Sequence, residues 1–261
     1  MSTTTPARTV ALFISDLHLQ ESHPRTADAF FRFLAAHAAH AEQLYLLGDI
    51  FEYWAGDDDL DAPLNRRVVE ALRALADRGL QIFWMAGNRD FLVGQGFAAA
   101  AGLHLLDEPH VATIAGQRIA LVHGDAECTL DTKYMEFRAM VRARGWQAQF
   151  LAMPLDKRKA IIAGLREGSR EAHTAKSYAI MDVTPEAIEA VFDATGAAVL
   201  IHGHTHRPAL HMHRHLSGQR RRYVLPDWEL DDRSDEPPRG GWIAVDEHGA
   251  VTRHALDGSL L

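Results

Sequence analysis

The sequence LIHGHTHRPAL, residues 200–210, places His202, His204 and His206 at alternate positions directly after the apolar run 197–201. On an extended strand these three side chains would share one face. Gly203, inside the run of histidines, instead indicates that a buried strand ends here and a turn begins. Because α/β proteins place their sites where buried strands end, the stretch predicts a functional site. A metal site would need matching ligands at the ends of other strands.

Length and composition indicate the class of protein and limit the kinds of site it can contain. The 261 residues, 47% of them hydrophobic, predict a single domain over residues 1–261 with an inserted segment. A net charge of -8 argues against nucleic acid as a partner. The single cysteine, Cys128, excludes an internal disulfide and a thiolate-rich zinc site, so any metal ligands are N and O atoms. Neither a secretory signal nor a membrane-spanning run is visible, which predicts a cytoplasmic protein.

Short apolar runs alternate with helical patterns along the first two thirds of the chain. Strands are predicted at residues 9–14, 43–47, 81–86, 118–122 and 198–201. Helices are predicted at residues 26–39, 64–77 and 185–194, and further strands at 222–225, 242–245 and 251–255. This alternation predicts a layered α/β fold.

Polar clusters follow five of these strands. They contain seven candidate metal ligands: Asp16, His18, Asp49, Asn88, His123, His204 and His206. One such pair, for example Asp-x-His, would usually be a turn with a capping side chain. Five clusters in this order, each directly after an apolar strand, indicate one shared site.

The pattern D-x-H, G-D, G-N, H-G and G-H-x-H resembles that of the calcineurin-like metallophosphoesterases. The resemblance implies two packed mixed β-sheets flanked by helices, and a site for two manganese ions per chain. It implies that Asp16, His18 and His206 hold one ion, that Asn88, His123 and His204 hold the other, and that Asp49 bridges both. It assigns no metal to His202. The ligand types alone leave manganese, magnesium and iron open. Two such ions can activate a water molecule and neutralise charge on a phosphoryl group.

Arg89 departs from the pattern, because many relatives have histidine after the Gly-Asn pair. Arginine cannot donate a proton at neutral pH, but it binds phosphate oxygens in a forked geometry. Its presence favours a leaving group that needs charge stabilisation more than protonation, such as the phosphate released from a pyrophosphate. The alternative is that Arg89 forms a salt bridge with Asp90 or Asp125.

Longer stretches of the sequence narrow the resemblance to one family within this superfamily. GDIFEYWAGDD (48–58), GNRDF (87–91), HGDAECTLDTKYMEFR (123–138) and HGHTHRPALH (202–211) resemble the bacterial UDP-2,3-diacylglucosamine diphosphatases of lipid A biosynthesis. That family implies hydrolysis of an acylated UDP-sugar to UMP and 2,3-diacylglucosamine 1-phosphate, by attack of water on the α-phosphorus. It implies catalytic roles for Asp49, Asn88, Arg89 and His123. It also implies substrate contacts by Asn88, Arg89, Asp131, Ser169, His173, Lys176 and His204.

Two residues differ from what is frequent in that family. Glu127 stands where relatives often have an apolar residue, and His173 stands where asparagine is frequent. Two other functions remain open. One is a nucleotide pyrophosphatase or phosphodiesterase of the same superfamily with another substrate, and the other is a non-catalytic scaffold on the same fold.

Residues 131–176 differ in character from the rest of the chain. Ten Lys/Arg and five Asp/Glu interleave there with apolar residues. The pattern predicts a helical lid inserted between the fourth and fifth metal motifs, whose apolar faces hold acyl chains and whose basic residues meet diphosphate or anionic lipid headgroups. We therefore expect peripheral association with the cytoplasmic face of the inner membrane, and no protein partner is implied. The alternative is an ordinary pair of amphipathic helices packed on the core.

Overall fold

The computed structural model describes residues 7–175, 182–215, 218–232 and 237–261, with the backbone alone at 167–175 and 215. The strands are β1 Thr9–Ile14, β2 Gln43–Leu47, β3 Gln81–Met85, β4 His104–Leu106, β5 His110–Ile114, β6 Gln117–Leu121, β7 Val199–His202, β8 Ala209–His215, β9 Gly218–Val224, β10 Gly241–Asp246 and β11 Val251–Ala255. The helices are α1 Pro24–Ala36, α2 Pro63–Ala76, α3 Gln95–Ala101, α4 Thr132–Arg142, α5 Arg144–Leu151, α6 Leu155–Ala175 and α7 Pro185–Thr195.

The strands form two mixed sheets. The first has the order β11-β10-β1-β2-β3-β4, and the second has the order β5-β6-β7-β9-β8. In the first sheet β1 to β4 run parallel, and in the second β6, β7 and β9 run parallel. The carboxyl ends of the parallel strands therefore meet at one edge of each sheet, and the polar clusters of the sequence follow those ends.

The two sheets pack face to face over an apolar core. Phe13 and Tyr45 of the first sheet lie in one buried cluster with Leu121 and Ile201 of the second. Helices α1 to α3 cover the outer face of the first sheet, and α7 covers the outer face of the second. Because both faces of the central strands are covered, these strands are continuous apolar runs in the sequence. The predicted fold, two packed mixed sheets flanked by helices, is confirmed.

Four elements were not predicted from the sequence: α3, β4, β5 and β8. The first three are short. In β8, histidines alternate with Leu210, Met212 and Arg214, and this strand lies at the edge of its sheet with Leu210 and Met212 exposed. On its other face His213 contacts Phe192 of α7, so β8 has one exposed and one partly buried face but no apolar run, and the hydrophobic pattern does not mark it.

Residues 131–175 contain the helices α4, α5 and α6. Val141 and Phe150 are buried, and Trp146, Ile161 and Ile162 pack against the core on the outer face of the first sheet. Of the helices in the described part of the chain, none is long and apolar enough to cross a bilayer.

Candidate active site

The seven predicted ligands lie on loops that follow β1, β2, β3, β6 and β7. Five of them adopt a left-handed backbone conformation, with positive φ angles at Asp16, His18, Asp49, His204 and His206. Ala115 is the one other non-glycine residue with positive φ in the described ranges. Residues held in this sparsely populated region cluster at functional sites, because surrounding contacts must enforce the conformation.

Asp16, His18 and His206 form the first group of converging donors. The Nε2 atoms of His18 and His206 lie 3.4 Å apart, and His206 Nε2 lies 3.5 Å from Asp16 Oδ1. Asp16 is fully buried, and its Oδ1 has no hydrogen-bond partner. Burial alone would raise the pKa of Asp16, but the close imidazole of His206, together with His123 and His18, holds it well below its usual range. A buried carboxylate oxygen that faces two imidazole nitrogens fits a divalent cation.

Asp49, His123 and His204 form the second group, together with Asn88. The Oδ1 atom of Asn88 lies 3.0 Å from His123 Nε2 and 2.9 Å from His204 Nδ1. Burial would lower the pKa of His123, yet the carboxylates of Asp49 and Asp16 raise it to about 9. A site that attracts a proton this strongly also attracts a metal ion, which takes the place of that proton. The donors therefore fit the two cations that the sequence predicts.

Asp90 holds the second group in place, and the sequence did not identify this role. Its buried carboxylate accepts hydrogen bonds from the backbone N–H groups of Gly87 at 2.8 Å, Ile50 at 2.8 Å and Asp49 at 3.2 Å. Burial and the charge of Asp49 raise the pKa of Asp90 to about 6. Asp90 thus ties the loop after β2 to the loop after β3 and fixes the backbone of Asp49.

Two glycines of the motifs are required by close approach. A Cβ atom on Gly203 would lie 2.2 Å from Asp16 Oδ2, and a Cβ atom on Gly87 would lie 2.2 Å from Asp49 Oδ1. Any larger residue at either position would displace a predicted ligand. This explains why glycine precedes the ligand in both Gly87-Asn88 and Gly203-His204.

Glu52 lies behind His18, and this contact was also missed. One carboxylate oxygen lies 2.9 Å from His18 Nδ1, and the other accepts a hydrogen bond from Arg166 of α6. Burial would raise the pKa of Glu52, but the adjacent imidazole of His18 and the charges of Arg89 and Arg166 lower it to about 2. A carboxylate in this position orients an imidazole and leaves its Nε2 free for a metal.

His202, the remaining histidine of the opening stretch, is fully buried and belongs to neither group of converging donors. Its Nδ1 bonds the carbonyl oxygen of Gly203 at 2.9 Å, and its Nε2 accepts a hydrogen bond from Arg222 at 3.0 Å. Burial and the charge of Arg222 lower the pKa of His202 to about 3, so it is neutral. His202 supports the loop that carries His204 and His206.

Arg89 has the surroundings of an anion contact. Its backbone N–H donates to Asp49 Oδ1 at 2.8 Å, which places the residue beside the second group. Its Nε is buried without a partner, and no described carboxylate lies within ion-pair distance of its guanidinium. Asp90 and Asp125 are occupied by backbone donors and by Arg138 respectively. The salt-bridge alternative for Arg89 is therefore not supported.

The structure describes only some of the other residues that are predicted to contact the substrate. Asp131 caps α4 and accepts from the backbone of Tyr134 at 3.2 Å. The ring of Tyr134 stacks on His204 at 6.3 Å, and its hydroxyl donates to Asp125 at 2.5 Å. The backbones of Ser169 and His173 lie in α6, while their side chains and all of Lys176 lie outside the described residues.

Five basic residues of α4 and α6 contact the core. Arg138 bonds Asp125 and Glu108, and Arg142 donates to the carbonyl oxygen of Gly87 at 2.9 Å. The other three of these five contacts are Arg158 with Asp58, Lys159 with Asp59, and Arg166 with Glu52. With Tyr134, these contacts bring the helices onto the loops after β2, β3, β6 and β7.

Comparison with known proteins agrees with this geometry. The model of the calcineurin-like phosphoesterase family matches residues 10–208. Proteins named UDP-2,3-diacylglucosamine hydrolase are 52% identical in Chromohalobacter salexigens over 87% of this chain and 95% of that protein, and 48% identical in Bordetella parapertussis over 90% and 91%. Fold and site thus define a metal-dependent phosphoesterase. The chain belongs to the calcineurin-like phosphoesterases and, within them, to the family of UDP-2,3-diacylglucosamine hydrolases.

Proposed function

We propose that the protein hydrolyses the pyrophosphate bond of UDP-2,3-diacylglucosamine, giving UMP and 2,3-diacylglucosamine 1-phosphate in lipid A biosynthesis. The observation that carries the proposal is the meeting of seven N and O donors at five strand ends, beside Arg89, which has no carboxylate of the described residues within ion-pair distance. Water attack on the α-phosphorus leaves a sugar phosphate, which departs as an anion and needs charge stabilisation more than a proton.

Each predicted residue has a role in this reaction. Asp16, His18 and His206 would hold one divalent ion, Asn88, His123 and His204 the other, and Asp49 would bridge them. When bound, the two ions, which we propose to be Mn²⁺, lower the pKa of a water molecule and neutralise developing charge. Arg89 binds the diphosphate oxygens and stabilises the departing phosphate.

The substrate contacts proposed beyond the metal site lie along α4 and α6. Asp131, Ser169, His173 and Lys176 would meet the head of the substrate, and His204 and Asn88 would contact it while binding metal. The apolar faces of α4 to α6 would act as a lid over the acyl chains. The affinity available there is large, because each buried methylene contributes about 0.8 kcal/mol.

We further propose that α4 to α6 dock on an anionic membrane surface, peripherally on the cytoplasmic face of the inner membrane. Leu130, Met140, Leu151 and Leu165 are exposed large apolar side chains. Lys133, Arg144 and Lys157 are exposed near them in the sequence. Cosedimentation with phosphatidylglycerol vesicles should exceed cosedimentation with phosphatidylcholine vesicles, and Leu165→Ser should weaken it. Equal binding to both kinds of vesicle would contradict the proposed attraction between the basic residues and the anionic headgroups.

Product analysis tests the function. The Mn²⁺-loaded protein is given UDP-2,3-diacylglucosamine and, separately, UDP-N-acetylglucosamine, which shares the head but lacks the long chains. We expect UMP and the acylated sugar phosphate from the first and very slow turnover of the second, because acyl binding positions the diphosphate. Comparable kcat/KM for the two would favour a general nucleotide pyrophosphatase. The absence of turnover with any phosphoester despite full metal loading would favour a scaffold.

A further inference from the structure

A cavity of about 250 Å³ lies beside the loop that carries His204 and His206. It opens between the end of β7, the start of β8 and strand β9. Its lining includes the polar residues Asp182, Thr205, Arg207, His211 and Arg222, and Pro208, Ala209 and Val224 supply apolar walls. Its volume is below the range typical of sites for drug-sized ligands, so it suits a single ring.

Arg222 is the unusual member of this lining. The one hydrogen bond of its guanidinium goes to the neutral His202, and in the described part of the chain no carboxylate lies within ion-pair distance. Its Nε is buried without a partner. A half-buried guanidinium is costly unless its N–H groups are satisfied, so the open donor predicts an acceptor from a ligand.

Thr205 connects this cavity to the metal site. It lies between two predicted metal ligands, His204 and His206, and its hydroxyl oxygen is buried without a hydrogen-bond partner. A molecule with one phosphate at the metal site could therefore reach the cavity with its next group. Two unused polar groups, one on Thr205 and one on Arg222, would face that group.

We propose that this cavity binds the uracil ring of the substrate. The proposal rests on the proposed function, since that reaction places a uridine next to the attacked phosphorus. The two carbonyl oxygens of uracil accept hydrogen bonds from the Arg222 Nε–H and the Thr205 hydroxyl. The ring N3–H meets the carboxylate of Asp182. The ring faces lie between Pro208 and Val224.

The lining favours a neutral ring over a second phosphate. Asp182 faces the same cavity and forms an ion pair with Arg207, so the guanidinium of Arg207 is already neutralised. A phosphate would gain the charge of Arg222 but would be repelled by Asp182. A uracil ring uses both the donors and the acceptor.

Calorimetric titration of the Mn²⁺-loaded protein with UMP, CMP and ribose 5-phosphate tests the proposal. Wild type should bind UMP more tightly than ribose 5-phosphate by about 10-fold to 100-fold, the range for one or two hydrogen bonds to a charged donor. Arg222→Gln should remove most of this preference and leave the affinity for ribose 5-phosphate within about twofold. CMP, which has an amino group in place of one carbonyl, should bind more weakly than UMP. Arg221→Gln, one residue along β9, is the matched control.

Three outcomes overturn the proposal. Wild type with no preference for UMP over ribose 5-phosphate would show that the base is not bound. Equal weakening of both ligands by Arg222→Gln would show that Arg222 acts through His202 on the metal loop. A second equivalent of inorganic phosphate, bound by wild type and lost in the variant, would make the cavity an anion site.

A measurement on wild type alone tests the proposal even if the Arg222→Gln variant fails to fold. With diamagnetic Mg²⁺ in place of Mn²⁺, saturation of protein methyl groups should transfer to the uracil H5 and H6 protons of UMP more than to its ribose protons, because Ala209 and Val224 line the cavity. Stronger transfer to the ribose would contradict the placement. Failure of the proposed function would look different, as a protein that prefers UMP yet leaves UDP-2,3-diacylglucosamine intact.

Discussion

Glu127 provides a test of how burial controls charge near the site. It lies in the short turn of helix that follows His123, and it is 7% exposed. Its Oε2 has no hydrogen-bond partner. Burial, followed by the carboxylates of Glu108 and Asp125, raises its pKa from 4.5 to about 8. The folded protein therefore keeps a proton on Glu127 over a range of pH in which the unfolded chain has released it.

The sign of the effect follows from this difference in bound protons. Between pH 4.5 and about 8 the folded state holds more protons, so the free energy of unfolding falls as the pH rises. Each pH unit is worth about 1.4 kcal/mol, and the full window corresponds to at most about 5 kcal/mol. Glutamine has the shape of the protonated acid and does not titrate. Glu127→Gln should therefore gain stability relative to wild type as the pH rises, by several kcal/mol between pH 5 and pH 9.

Urea unfolding of both proteins at pH 5, 7 and 9, followed by tryptophan fluorescence in metal-free buffer, measures the difference. Titrating groups that do not interact with Glu127 affect both proteins equally and cancel, whereas Glu108 and Asp125 titrate together with Glu127 and contribute to the measured difference. Glu136→Gln on the exposed face of α4 is the control, and its difference from wild type should stay constant with pH. A constant difference for Glu127→Gln as well would mean that Glu127 titrates in the ordinary range and that the argument from burial is wrong.

Three further predictions concern the site. Asp49→Ala should lose most activity and keep its thermal unfolding temperature, because Asp49 is the ligand expected to touch both ions; near-normal turnover in Mn²⁺ would contradict the two-ion site. Arg89→Ala should lower kcat by about 100-fold to 1000-fold at unchanged metal content, the range for loss of a transition-state donor; loss of metal with normal turnover per metal would reassign it. Glu52→Ala should weaken metal binding, measured by titration of the apoprotein, by about 10-fold to 100-fold, whereas Glu52→Gln should restore part of it.

The sequence could predict this convergence of candidate ligands because their geometry is local. A ligand that directly follows a buried parallel strand has its position set by that strand, and the strands are marked by their apolar runs. The supporting carboxylates gave no such signal. Asp90 acts on the loop after β2 from the loop after β3, and Glu52 acts on a residue after β1. Which backbone or imidazole a carboxylate meets across two loops depends on sheet order, and the sequence pattern does not contain that order.

The basic residues of α4 to α6 show the same limit of prediction from sequence. The excess of basic residues predicted a surface for diphosphate or lipid headgroups, yet five of those residues bond carboxylates or carbonyl oxygens of the core. Arg158 is almost fully buried in such contacts, with the carbonyl oxygens of Ala55 and Met153 and the carboxylate of Asp58. A count of charges along a helix does not distinguish an anchor from a ligand contact, because both use the same residue types.

This use of the basic residues changes where recognition of the substrate must come from. Arg158 is almost fully buried and donates to two carbonyl oxygens as well as to Asp58, so releasing it would leave a buried charge without partners, and it is expected to stay on the core while substrate binds. The diphosphate would then be recognised chiefly by Arg89 and the metal ions, because these lie at the strand ends and none of the described carboxylates pairs with Arg89. The helices would contribute their apolar side chains, and their cations would hold those side chains in place over the loops. Selectivity for an acylated substrate would therefore come from shape and apolar burial, and the charge that attracts the diphosphate would belong to the core.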